Sequence, residues 1–264
     1  MSLPAGDRRR VEAALSGAGS SLGKVIHRIG LGQSGDLVAR SGDAFVKVAG
    51  DGEVAASRLR REAAALSWLA GRIRVPDMLW TGEVDGRPAL VTAALAGTPL
   101  SDVDPGEAAE ALAEGARTLV ALHALPVAGC PGDGSVAGLL AEAREAAAAG
   151  RIQPDDFGPE HAGWTAERLI AVLADQPPPE LARVPTHGDA SLPNLVWSPD
   201  KGAGLVDLGR LGPADPWRDF ALFLRSSARN HPGIDAADLL SRTLPGWTYD
   251  PIRDAGFRSL DELA

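Results

Sequence analysis

The chain has 264 residues, 45% of them hydrophobic and 23% charged, with a mean hydropathy of −0.04, which suits one large core or two lobes. No run reaches eighteen uninterrupted apolar residues, which excludes a hydrophobic membrane-spanning helix. A net charge of −9 and a pI near 5.1 make nucleic acid a poor partner and a cationic ligand a suitable one.

Residues 1–17 hold basic side chains but no apolar stretch before a small-residue cleavage site, so no secretory signal is expected and a cytoplasmic location is. The single cysteine, Cys130, leaves no intramolecular disulfide and no cysteine-based zinc site, and it reads as a small hydrophobe. No heptad pattern appears, and a monomer is expected.

The first ninety residues read as strands around one helix. Lys24-Val-Ile-His-Arg-Ile29 is a strand, followed by the glycine-rich turn Gly30-Leu-Gly-Gln-Ser-Gly-Asp36. Strands 37–39 and 44–49 follow, joined by Ser41-Gly-Asp43. The spacing of Leu59, Glu62, Leu66 and Leu69 predicts a helix over 53–69. Two further strands, near 78–83 and 88–92, flank the turn Asp85-Gly86.

Beyond Ala96-Gly-Thr-Pro99 the pattern changes. Helices are predicted over 107–125, 136–149 and 164–174, then a loop-and-strand region from Thr186 to Leu208 and a helix from Trp217. A strand-rich part followed by a helix-rich part, hinged near residue 95, predicts two lobes, 1–94 and 95–264.

The segment Thr186-His-Gly-Asp-Ala-Ser-Leu-Pro-Asn194 and the strand end Gly204-Leu-Val-Asp207 carry the densest chemistry. Two hard oxygen donors, Asn194 opening one apolar strand and Asp207 closing the next, suit Mg²⁺, which takes few protein ligands. Asp189 then remains to accept a hydroxyl proton, the layout of phosphoryl transfer. Singly, such residues beside Gly and Pro are ordinary turn formers.

Two upstream anomalies support the chemical reading. Lys47 sits in an apolar strand and Glu62 on the apolar stripe of a helix, and pairing supplies both with a counter-charge. The glycine-rich turn lies between strands, which fits neither a Walker loop nor a Rossmann turn, yet its N–H groups suit the covering of phosphates.

From Gly30 onward the chain resembles the aminoglycoside phosphotransferases, which share the protein-kinase-like fold. The resemblance rests on His187-Gly-Asp189, Asn194, Asp207-Leu-Gly-Arg-Leu-Gly-Pro-Ala-Asp215 and Asp219, where Asp219-Phe-Ala221 replaces the usual Asp-Leu-Ala. It implies an α+β, two-lobed fold with a small, mainly β N-lobe carrying one key helix and a larger, mainly helical C-lobe. It implies that Asp189 is the catalytic base, that Asn194 and Asp207 hold Mg²⁺, and that Lys47, oriented by Glu62, meets the phosphates of ATP. By the same resemblance Ser34 and Gly35 lie in the phosphate-covering loop, and the Thr92 carbonyl and Ala94 N–H meet adenine. Arg210 is similar to the family's arginine beside the active site. Asp215 before Pro216 reads as a helix N-cap, and the apolar face of the helix that follows as structural.

A polycationic aminoglycoside acceptor calls for acidic side chains. Asp155, Asp156 and Glu160 form one cluster, and Asp261 and Glu262 beside the terminal carboxylate form the other; both match the family's substrate loop and tail in position. The segments Ser34-Gly-Asp-Leu-Val38, 154–160, 187–194 and 207–212 resemble the streptomycin 3''-kinase branch more than the kanamycin/neomycin 3' branch. The alternatives are a 3'-phosphotransferase, a kinase of the same fold acting on choline, homoserine or a sugar, and a nucleotide-binding pseudokinase. A protein kinase fits less well, because no long activation segment separates Asp207 from the helix at Trp217.

Overall fold

The computed structural model describes residues 3–19, 26–31 (as backbone) and 35–264. They divide into two compact units, 1–96 with 204–210, and 97–203 with 211–264. The first is small and built on one sheet with two helices where one was expected, the second larger and mainly helical, giving the α+β class expected from the sequence. The excursion 204–210 joins the first unit although it lies far along the chain, a discontinuity that a single cut near 95 does not contain.

The first unit holds α1 (Ala5–Gly17), β1 (Ile26–Leu31), β2 (Leu37–Ser41), β3 (Ala44–Val48), α2 (Glu53–Leu69), β4 (Met78–Val84) and β5 (Arg87–Ala93). Its strands form one antiparallel sheet in the order β1-β2-β3-β5-β4. The β4–β5 hairpin closes on two residues, Asp85 and Gly86, both at positive φ (52° and 73°), the pairing that matches strand twist.

Side chains alternate across the sheet, and that alternation decides what each helix meets. Val46 and Val48 of β3, with Ala89 and Val91 beside them, share a core with Val11, Ala14 and Leu15 of α1. Lys47 necessarily points to the other face, where α2 lies. Of the helical stripe, Leu59, Leu66 and Leu69 are buried as expected, and so is Glu62. Helix α1 is the element of this unit that no sequence pattern marks; three arginines in succession and two acidic residues mask its narrow buried stripe.

The second unit holds β6 (Thr98–Pro99), α3 (Ala108–His123), α4 (Val136–Ala148), α5 (Ala166–Asp175), β7 (Val184–Thr186), β8 (Leu195–Ser198), the start of β9 (Gly202–Leu205), β10 (Gly212–Ala214), α6 (Trp217–Asn230), α7 (Ala236–Thr243) and α8 (Pro251–Asp261). Helix α6 is the hub: Trp217 to Leu224 are all buried, as befits a helix enclosed on every side. It packs against α7 and α8. Strand β7 pairs antiparallel with β10, and β6 with β8, so residues 187–194 are suspended between two short ladders. No helix among the described residues is long and apolar enough to cross a membrane.

Candidate functional site

In the first unit three charged side chains converge. Lys47 Nζ stands 2.6 and 2.8 Å from the two carboxylate oxygens of Glu62 and 2.9 Å from Asp207 Oδ1. Glu62 is nearly enclosed (side chain 8% exposed), Lys47 20% exposed, and Asp207 open at 55%. Burial works against the Lys47 ammonium, but Glu62 and then Asp207 outweigh it and hold its pKa above the ordinary lysine value. The pairing expected for Lys47 and Glu62 is present, and Asp207 joins it.

Asp207 follows β9 with φ +59°, a left-handed conformation that a side-chain-bearing residue adopts at a cost of order 1 kcal/mol. Two residues on, a Cβ on Gly209 would stand 2.8 Å from Arg58 Cγ and 3.3 Å from Arg58 O, so the backbone presses directly onto α2. The leg entering this turn is anchored too, by Leu205 N–H donating to Arg74 O at 2.9 Å.

The exit of the glycine-rich turn is fastened nearby. Asp36, buried, accepts the Gly50 N–H at 2.8 Å, and Gly35 takes φ +73°. Ser34 lies outside the described residues. At the expected adenine segment the structure departs from the reading of Ala94. Its N–H donates to Asp43 O at 2.7 Å, because the β3 hairpin extends its ladder one residue past β5, so that donor is engaged within the sheet. Thr92 remains within β5, half-buried.

In the second unit the loop carrying Asp189 is held by α6. Asp219, fully buried, accepts the main-chain N–H of His187 on Oδ2 at 2.8 Å and that of Gly188 on Oδ1 at 2.9 Å, and meets His123 Nε2 at 2.9 Å. Gly188 turns at φ +83°, and the Asp189 N–H donates to His187 Nδ1 at 3.2 Å. Asp219 sits in the stretch expected to be structural; it is the pin of the Asp189 loop. Asp215 likewise exceeds an N-cap: it accepts from Trp217 N–H, from the N–H groups of Leu181 and Ala182, and from Arg253.

Asn194 donates through Nδ2 to Asp189 O at 3.0 Å and to Ser191 Oγ at 3.2 Å. Asp189 O is only an acceptor, so the amide nitrogen must face it and the amide oxygen is left for another partner. Asn194 Oδ1 in the second unit and the Asp207 carboxylate in the first are each hard oxygen donors of the kind Mg²⁺ takes.

The acidic loop and tail come together within this unit. Asp155, Asp156 and Glu160 are exposed on two short 3₁₀ turns. His161 Nδ1 stands 2.9 Å from Glu262 Oε2, and a Cβ on Gly158 would stand 2.9 Å from Glu262 Oε1. Asp261 is paired with Arg225 of α6. Trp164 meets His161 edge-on, ring centroids 5.0 Å apart, with the Arg168 guanidinium 3.9 Å from its own ring. Sequence reading did not single out His161, Arg225, Ser191 or His123; a histidine directly after Glu160 and a charged residue on the apolar face of α6 were the available signals. Cys130 is half-buried, and burial pushes its thiol up to about 11, which keeps the thiolate scarce near neutrality.

A family model described as a phosphotransferase enzyme family matches residues 25–254. The chain is 38% identical over 180 residues, 66% of its own length and 66% of the relative's, to an aminoglycoside 3'-phosphotransferase of Streptomyces fradiae. Among solved structures it is similar to an aminoglycoside-3'-phosphotransferase of type VIII (31% identical, TM-score 0.85, covering 97% of this chain and 99% of that one). It is also similar to aminoglycoside phosphotransferase APH(3'')-Id of Streptomyces rimosus (27% identical, TM-score 0.84, covering 97% and 98%), which is known in complex with ADP and streptomycin as well.

Proposed function

The chain belongs to the phosphotransferase enzyme family, and on that premise we propose that it moves the γ-phosphoryl group of ATP to a hydroxyl of an aminoglycoside. The observation that carries the reading is the Asp189 loop, whose main chain is pinned by Asp219 and bonded by Asn194 while the residue stays half-buried with its carboxylate on Ser191.

In this mechanism Asp189 orients the acceptor hydroxyl and takes its proton as the oxygen bonds to phosphorus; ADP leaves and the proton passes to solvent. Lys47, kept charged by Glu62, meets the nucleotide phosphates, and Ser34 and Gly35 cover them. Adenine is received at Thr92, through its carbonyl, while the Ala94 N–H stays with Asp43. Asn194 and Asp207 hold Mg²⁺, which when bound neutralises charge on the phosphate oxygens. Catalysis is then mainly positioning and preorganised electrostatics. The exposed carboxylates Asp155, Asp156 and Glu160, with Asp261 and Glu262, attract the amino or guanidino groups of the acceptor.

Streptomycin, phosphorylated at its 3''-hydroxyl, is the proposed acceptor, supported by the resemblance of segments 34–38, 154–160 and 187–194 to that branch. The second reading is a 3'-phosphotransferase, favoured by the 38% identity to the Streptomyces fradiae enzyme. ADP release with ATP and Mg²⁺ against streptomycin, kanamycin, neomycin, hygromycin and choline separates them. Turnover on streptomycin alone supports the first reading, turnover on kanamycin or neomycin the second. Silence on every aminoglycoside, with ATP still bound, overturns both.

A further inference from the structure

Ser191 stands at the N-cap of the 3₁₀ turn Leu192–Asn194 but makes no side-chain cap bond there. A serine at such a position ordinarily accepts from a main-chain N–H two or three residues on. Here the residue two on is Pro193, which has no N–H to give, and the Asn194 N–H three on goes to the Ser191 carbonyl at 2.9 Å; the intervening Leu192 N–H is taken by Ser226 Oγ at 3.0 Å. The hydroxyl is therefore released for other work. It lies 2.9 Å from Asp189 Oδ1 and 3.2 Å from Asn194 Nδ2.

The roles in this bridge follow from donor counting. The hydroxyl has one proton, and Asn194 Nδ2 can only donate, so the proton goes to Asp189 Oδ1 and the serine oxygen accepts from Asn194. One oxygen of Asp189 is thereby occupied, and the other is the one left for an incoming hydroxyl. Both N–H bonds of the Asn194 amide are also used, one on Asp189 O and one on Ser191 Oγ, so its oxygen is held at a single orientation.

We infer that Ser191 is a positioning residue that ties Asp189 and Asn194 into one unit, fixing which carboxylate oxygen meets the acceptor and which end of the amide meets the cation. This rests on the proposed roles of those two residues. A hydroxyl behind a ligand or base of this kind changes metal affinity or activity by about 10- to 100-fold when removed.

The test compares Ser191→Ala, Ser191→Thr and Asp189→Asn with the unaltered protein. It measures kcat, KM for ATP and for the aminoglycoside found in the panel, and Mn²⁺ binding by electron paramagnetic resonance with a non-hydrolysable ATP analogue. Ser191→Ala is expected to lower kcat at least about 10-fold and to weaken Mn²⁺ binding several-fold, with KM for the aminoglycoside within about twofold. Ser191→Thr, which keeps the hydroxyl, restores most of both. A Ser191→Ala protein within twofold in kcat and Mn²⁺ affinity overturns the inference, as does equal impairment of the alanine and threonine variants. Near-normal turnover by Asp189→Asn overturns the base assignment and this inference with it. An inactive Asp189→Asn beside a normal Ser191→Ala overturns this inference alone.

Discussion

Asp219 Oδ2 lies 2.8 Å from the main-chain nitrogen of His187, two residues before Asp189. A helix side chain thus fixes the backbone of a loop 32 residues earlier in the chain, and its other oxygen does the same for Gly188. The carboxylate is fully buried, and burial pushes its pKa up. The His123 hydrogen bond and charge and the Gly188 N–H outweigh that and hold it below the usual aspartate value. A carboxylate depressed by folding adds stability above its unfolded pKa and loses it as pH falls through the folded one.

Asp219→Asn places an amide N–H against a donor already in place, leaving buried groups unpaired. Unfolding free energy near neutral pH is expected to fall by about 3–5 kcal/mol, the range for breaking a buried charged network. The loss of stability on acidification, read from urea midpoints between pH 7 and pH 3, should be shallower in the variant than in the unaltered protein. At temperatures where the variant is folded, turnover should fall by about 100-fold, because a displaced loop misaligns Asp189.

The Lys47–Glu62 pair makes a separate prediction. Glu62→Gln keeps the shape of α2 but leaves Asp207 as the remaining carboxylate on Lys47 Nζ. Lys47 is then drawn onto Asp207 rather than shared between the two. The kcat/KM for ATP is expected to fall about 10- to 100-fold, the equivalent of one charge-assisted hydrogen bond. KM for the aminoglycoside should stay within about twofold, and steady-state kinetics in both substrates reads the difference. An equal rise in both KM values would overturn the role given to the pair.

Gly50 is a close-approach glycine. A Cβ there would stand 2.9 Å from the Gly35 carbonyl oxygen, backbone that cannot swing aside, and its own N–H is the donor that Asp36 accepts. Gly50→Ala should therefore displace the exit of the glycine-rich turn while leaving the second unit intact. The expected outcome is a rise of about threefold to tenfold in KM for ATP with a small change in kcat, of the order of 1 kcal/mol in binding. Isothermal titration with an ATP analogue checks it directly.

What the sequence makes legible follows chemistry that is out of place. Lys47 in an apolar strand and Glu62 in an apolar stripe announce each other because burial without a partner is expensive. The hairpin at Asp85-Gly86 is readable because only few residues take positive φ. Helix α1 escapes because its buried face is just Val11, Ala14 and Leu15 among charged neighbours, too narrow for a periodicity test. Helices α7 and α8 escape for the same reason of polar composition; α8 carries its buried Asp254 inside the apolar stripe. The ladder that engages Ala94 joins β3 to β5 across the intervening α2 and β4, a non-local pairing that no local pattern encodes. The pinning of the Asp189 loop by Asp219 depends on tertiary packing, and the aspartate in Asp219-Phe-Ala221 was visible only as a motif position.

The pairing of loop and tail leads to a last prediction. Glu262 meets His161 at 2.9 Å, and Asp261 is paired with Arg225, so each tail carboxylate already has a cationic or ionisable neighbour inside the second unit. A polycationic acceptor then competes with those neighbours rather than meeting free carboxylates. Glu262→Gln keeps a hydrogen-bonding group for His161 but removes the negative charge. KM for the aminoglycoside is expected to rise about 10-fold, the loss of one charge-assisted contact, with kcat and KM for ATP little changed. Raising the salt concentration should increase the aminoglycoside KM of the unaltered protein more steeply than that of the variant, since the lost attraction is the part that salt screens. Initial rates at two ionic strengths decide it; parallel salt dependence would show that Glu262 is a fold-stabilising partner of His161 and not a contact for the acceptor.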